Sequence, residues 1–95
     1  MFIIALTYKV PVSEADKHLQ AHILFIEKYF AEGVFLLSGK KVPRTGGIIL
    51  AQCDSREKLE ILIREDPFFD FGVADFEITE FHATKAGNGL ENLLD

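Results

Sequence analysis

Two imidazoles four residues apart, His18 and His22, are the first groups in this 95-residue chain whose type and spacing suit chemistry. Positions i and i+4 are neighbours on one face of a helix, and two imidazoles so placed can share a zinc ion. A zinc site needs a third ligand, and the Glu of the metalloprotease pattern does not stand between them, so no metal or other cofactor is expected. On a helical projection His22 borders the stripe made by Leu19, Ile23 and Ile26, whereas His18 lies further round toward solvent. His22 is therefore the histidine expected to look into the protein, either as an imidazole bonded to a backbone carbonyl or as an acid/base group. Asp66 is the second candidate. In Glu65-Asp66-Pro67-Phe68-Phe69 its carboxylate is held at a chain reversal beside aromatic rings. Asp before Pro is also a good helix N-cap, with Pro67 at the first helical position, and a capping carboxylate looks the same in sequence as a catalytic one.

The segment Ser38-Gly39-Lys40-Lys41-Val42-Pro43-Arg44-Thr45-Gly46-Gly47 is the third candidate. It combines a hydroxyl, cations and glycines that permit close backbone approach, which suits an anionic or phenolate ligand; an ordinary charged hairpin loop has the same composition. It is a poor phosphate cradle, because no Gly-rich run leads into a helix. Cys53 ends an apolar run and is expected to be packed rather than reactive.

The elements that must position these groups follow from periodicity. Residues 2 to 8 read as a strand that ends near Val10-Pro11. Ser13 with Asp16 resembles a capping box and opens a helix with apolar steps at Leu19, Ile23, Ile26 and Phe30, which Gly33 terminates. Residues 34 to 42 and 48 to 53 form a hairpin around the Pro- and Gly-containing loop. Asp54 with Glu57 predicts the cap of a second helix whose stripe is Leu59, Leu62 and Ile63, ended by Pro67. Residues 75 to 83 alternate and make a last strand. This β-α-β-β-α-β order predicts an α+β, ferredoxin-like domain over residues 1–84, in which a four-stranded antiparallel sheet carries both helices on one face. Residues 85 to 95 form a tail in which Leu90, Leu93 and Leu94 have the spacing of one helical turn.

In this topology the first and third strands are central, and they are the most continuously apolar, Phe2 to Leu6 and Ile48 to Ala51. Hydrophobic residues on both faces of a sheet that has helices on one face imply a second cover, and a chain this short buries only about 60 to 65% of its unfolded surface. A second copy laid sheet to sheet is the expected partner, giving a homodimer. A net charge of -5 disfavours nucleic acid, which needs a basic surface. No apolar run approaches the roughly 20 residues of a membrane span, and no signal peptide is read at the N-terminus. The single cysteine suits a reducing, cytoplasmic location.

Taken in order, Ala21-His22, Ala31-Glu32-Gly33-Val34-Phe35-Leu36-Leu37-Ser38-Gly39, Val42-Pro43-Arg44-Thr45-Gly46-Gly47, and Asp66-Pro67-Phe68 ahead of the last strand resemble the YCII-related domain family (YciI-like proteins). The resemblance spans nearly all of residues 1 to 83. It implies a ferredoxin-like fold assembled as a dimeric α/β barrel, and a His-Asp active-site pair that falls by position on His22 and Asp66. One relative is a dehydrochlorinase acting on a chlorinated hydroxyhydroquinone, so lyase-like chemistry on an oxygenated ring suits such a scaffold. Many relatives have Ser-Gly-Pro where this chain has Ser38-Gly39-Lys40, which changes the charge at the pocket rim. On this basis Asp66 would orient His22, His22 would take or return a proton, and Ser38, Gly39 and Arg44 would contact a small-molecule ligand. The other reading is a non-enzymatic module that binds a small ligand in the same place.

Overall fold

Alternation sets the first strand. In Phe2–Tyr8 (β1) the side chains of Phe2, Ile4 and Leu6 are buried while Ile3 and Thr7 are exposed, the two-residue period of a strand with one face on a core. The computed structural model describes residues 1–95. It places Phe35–Lys40 (β2), Gly46–Ala51 (β3) and Ala74–Glu80 (β4) with β1 in one antiparallel sheet of order β2-β3-β1-β4, so the most apolar strands are indeed central.

The first helical region is two helices rather than one. Val12–Asp16 (α1) begins after Pro11 without a side-chain cap, and Ser13 lies inside its first turn, too late to cap it. Lys17 and His18 then donate to Glu14 and Ala15, three residues back, which tightens the chain before Leu19–Ala31 (α2) starts. The break lets Ala15 reach full burial. The buried face of α2 is also rotated from the expected stripe: Phe25 and Tyr29 are its buried residues, while Ile23 and Phe30 remain 37% exposed. The helix ends as expected. Gly33 is left-handed at φ 76°, Gly33 N–H donates to Phe30 and Val34 N–H to Tyr29, which satisfies the last carbonyls.

Arg56–Ile63 (α3) is capped by Ser55, whose hydroxyl accepts from the Lys58 N–H, and not by Asp54, whose carboxylate pairs instead with the Lys58 ammonium. Leu59, Leu62 and Ile63 are buried as predicted and join Phe25 and Tyr29 over Phe2, Ile4, Ile49 and Ala51. The helix stops at Ile63, ahead of Pro67, because Arg64, Glu65 and Asp66 donate three residues back. Pro67–Asp70 (α4) follows, with Asp66 as its N-cap. Cys53 packs against the core from a half-buried position. The tail makes one 3₁₀ turn, Glu91–Leu93, and Asp95 closes it on Ala83 with two hydrogen bonds of 2.8 and 3.0 Å. It leaves Leu90 and Leu94 exposed, and on the sheet face away from the helices Ile3, Leu37 and Ile48 are 37%, 67% and 39% exposed. No helix is long and apolar enough to cross a membrane.

One polar clamp fixes α2 to the segment before α4. The Tyr29 hydroxyl donates to Glu65 Oε2 at 2.6 Å and the Lys28 ammonium to Oε1 at 2.9 Å. These two donors, Tyr29 first, hold the Glu65 carboxyl below its ordinary 4.5. A carboxyl depressed on folding contributes stability above its unfolded value and loses it as pH falls through the folded one. Because Glu65 is half exposed, solvent screening limits the effect. Tyr29→Phe is expected to lower the denaturation free energy by about 1 kcal/mol at pH 7, with a smaller gap at pH 3, which lies below the ordinary carboxyl value, so that the contribution of the ionised form has begun to be lost. Urea titrations at both pH values read this directly, and an equal gap at both would contradict the clamp.

Candidate active site

Neighbouring residues Glu65 and Asp66 both reach α2. Asp66 is fully buried, and its carboxylate is caught between two donors: Oδ1 accepts the Phe68 N–H at 2.9 Å, and the His22 Nδ1 lies 2.8 Å from Oδ1 and 3.0 Å from Oδ2. Capping and pairing are therefore performed by one carboxylate. The backbone bond fixes the acid, and the acid fixes the imidazole. With a carboxylate against Nδ1, the neutral ring carries its proton there and leaves Nε2 as an acceptor, the orientation expected of an acid/base histidine. Phe68 holds the ring plane from below, stacked on His22 at 4.0 Å with 5° between the planes. A parallel stack of His18 on Phe71, at 4.6 Å and 20°, accounts for the second imidazole. No three His, Cys, Asp or Glu side chains cluster as a metal site would require.

His22 has 15% of its side chain exposed, and it lines a cleft of about 410 Å³ between α2 and the sheet, a size that suits a small molecule. The helix wall is Leu19, Ile23, Ile26, Glu27 and Phe30, so the residues rotated out of the core form the apolar side of this cleft. The sheet wall exists because of two sequence features. Gly47 pairs with Leu6 on the helix-facing side, where it presents no side chain, and the cleft occupies the space above it. A bulge between Phe35 and Leu37 shifts the phase of β2, so that Ser38 pairs with Ile49 and Lys40 with Gly47. Both side chains thereby turn to the helix side.

The predicted site residues are thus distributed as follows: His22 and Asp66 meet, with Asp66 behind the ring and outside the cleft, and Ser38 and Gly39 line the cleft. Arg44 does not line it. Its guanidinium bonds Asp16 at 2.7 Å and lies 5.8 Å from the Tyr8 ring centroid, and Asp16 followed by Tyr8 holds it above its ordinary basicity. Two polar lining residues escaped the sequence reading, Tyr8, set edge-on to Phe68 at 5.8 Å, and Glu27; Lys40, read in the sequence as a cation of the candidate loop at the pocket rim, lines the cleft as well. Alternation through β1 flags Tyr8 as helix-facing, but Lys40 faces the cleft only because of the bulge.

The sequence profile of the YCII-related domain matches residues 1–82. The chain belongs to this family. The match ends two residues after β4 and excludes the tail. No curated protein sequence matches the chain. Among solved structures the chain is similar to 5-chloro-2-hydroxyhydroquinone dehydrochlorinase (TftG) from Burkholderia phenoliruptrix AC1100, in complex with 2,5-dihydroxybenzoquinone. The TM-score is 0.72 at 15% sequence identity, over 87% of this chain and 95% of that chain. At this identity the likeness concerns the fold, an α+β domain with a four-stranded antiparallel sheet.

Proposed function

We propose that this YCII-family member is a small enzyme in which His22 acts as general base and acid, held by Asp66, on an oxygenated ring compound bound in the cleft. The observation that carries this reading is the buried Asp66 carboxylate at 2.8 Å from His22 Nδ1, with the same imidazole lining the cleft of about 410 Å³. A histidine that served packing alone would not need a carboxylate taken wholly out of water, which costs several kcal/mol on an order-of-magnitude basis unless it is paired. The structural neighbour acts by dehydrochlorination, and its ligand is a hydroxylated quinone. In an elimination of that kind a proton is first delivered to the chlorine-bearing ring carbon as one hydroxyl gives its proton up, which makes that carbon tetrahedral. Nε2 then takes the proton of a second hydroxyl while chloride departs with its bonding pair and the ring becomes a quinone. The substrate loses HCl, the imidazole is left protonated, and Asp66 compensates that charge. Ser38 and the backbone amides about Gly39 would steady oxygen atoms of the ring. The test is chloride release from a panel of chlorinated hydroquinones by the purified protein, compared with the same protein lacking the His22 imidazole. Turnover that survives loss of the imidazole counts against the reading.

The reading includes a homodimer, with sheet packed on sheet as in a dimeric α/β barrel. Ile3, Ile48, Leu37 and the half-buried Leu50 form an apolar band on the side of the sheet opposite the helices, and the tail leaves it open. Removing that band from water is worth about 25 cal/mol per Å². Sedimentation at micromolar concentration is expected to give a particle of twice the chain mass, and Ile48→Lys a folded monomer. A wild-type monomer would contradict the packing.

A further inference from the structure

Of the four cations without an ion pair, Lys40, Lys41, Arg64 and Lys85, only Lys40 lines the cleft, and it has no hydrogen-bond partner either. Its neighbour Lys41 is satisfied differently, donating to Thr7 at 2.9 Å. The position of Lys40 is produced by the β2 bulge and by register. It pairs with Gly47, which pairs with Leu6, so one row of the helix-facing side reads Leu6, bare Gly47, Lys40. Neighbouring strands lie about 4.8 Å apart, so the Leu6 and Lys40 backbones stand roughly 10 Å from each other with an open floor between them. His22 and Phe68 stand over the Leu6 and Tyr8 end of the same cleft. A flat ring of benzene size fits that span with one substituent at each end.

We propose that Lys40 is the anion-reading residue of the cleft, and that the ligand is a small hydroxylated ring carrying a carboxylate, with the carboxylate on Lys40 and the hydroxyl end toward His22. The inference deepens the acid/base reading and rests on it for the hydroxyl end. The apolar wall of Ile23, Ile26 and Phe30 supplies the ring's contact area, and Lys40, exposed at the rim of the cleft, offers its unpaired ammonium to an anionic substituent by a charge-assisted bond. Glu27, the one acid lining the cleft, stands on the helix wall and disfavours a second anionic group there. A different role fits the same placement: β2 is an edge strand, and an inward-turned lysine after a bulge discourages pairing with another chain's edge. The two roles differ in what they predict for ligand charge.

The test uses 4-hydroxybenzoate and its neutral analogue 4-hydroxybenzamide as probes, titrated into the full-length protein and followed by the backbone amide resonances of Gly39, Gly46 and Gly47. The carboxylate is expected to bind about tenfold tighter than the amide. Lys40→Gln should abolish that preference and Lys40→Arg retain it, both at unchanged thermal stability. Saturable binding of neither probe, equal affinity for the two, or a preference that persists in Lys40→Gln would each overturn the proposal. His22→Gln separates it from the acid/base reading. If that variant loses turnover while Lys40→Gln keeps the carboxylate preference, the anion-reading role fails and the acid/base role stands; the reverse outcome leaves Lys40 in place and removes His22.

Discussion

Replacing His22 by Gln is expected to lower turnover by about 10² to 10⁴, the usual worth of a positioned acid/base group, while the protein stays folded. The amide of Gln keeps a donor within reach of Asp66, so the carboxylate is not stranded and the stability cost stays near about 1 kcal/mol. Asp66→Asn should cause a loss of the same order by another route. Its oxygen still accepts the Phe68 N–H, but its NH₂ faces His22 Nδ1 and must donate there, which moves the imidazole proton to Nε2. The ring remains in place with the wrong nitrogen available, as in serine proteases whose orienting Asp is made Asn. The double variant should be no worse than either single one, because both remove one function. A double loss equal to the product of the single losses would mean that the two residues act independently.

Gly46→Ala is expected to be the most damaging single-methyl change in the chain. A Cβ at this position would lie 1.8 Å from the Leu6 carbonyl oxygen and 2.7 Å from its carbon, backbone atoms of the central strand that no rotamer change can move. Gly46 pairs with Thr7 in the β1–β3 ladder and its carbonyl accepts the Lys41 N–H, so relieving the clash means parting the two central strands at the end nearest the cleft. A cost of about 3 to 5 kcal/mol is expected, a large part of the roughly 5 to 14 kcal/mol available to a domain of this size. Gly39→Ala is the control. A Cβ there meets nothing within 4 Å, and a near-neutral effect on thermal unfolding is expected. Equal melting temperatures for wild type and Gly46→Ala would show that the β1 to β3 approach is looser than described.

Much of this was legible in the residues. Asp66-Pro67 announced a cap, Gly33 a left-handed exit, and the apolar runs at β1 and β3 their central places, because each is decided by local sterics or by one face of burial. His22 and Asp66 could be singled out separately, and the family resemblance joined them. What was hidden depended on partners distant in sequence. The extra residue at Leu36 inverts which side chains of β2 face the helices, and nothing in Leu36-Leu37-Ser38 marks it. The same holds for α2. Its hydrophobic periodicity correctly identified a helix, but Ile23 and Phe30 are apolar for a cleft and not for the core, and periodicity cannot separate the two. Arg44, placed near a ligand by its loop, is drawn instead to Asp16 at the end of α1, a short helix that the stepping of apolar residues had merged with the next. Ser55 outcompeted Asp54 as a cap through the position of a single N–H.

Acid/base chemistry at His22 depends on which of its ring nitrogens is free. Long-range proton–nitrogen NMR of ¹⁵N-labelled protein, recorded where the imidazole is neutral, reads the tautomer directly and needs no substrate. The pairing described here predicts a proton on Nδ1 protected from exchange, an unprotonated Nε2, and an exchange of these roles in Asp66→Asn. A wild-type ring with its proton on Nε2, or with both tautomers averaged, would mean that Asp66 serves α4 as a cap and does not prepare His22 for chemistry.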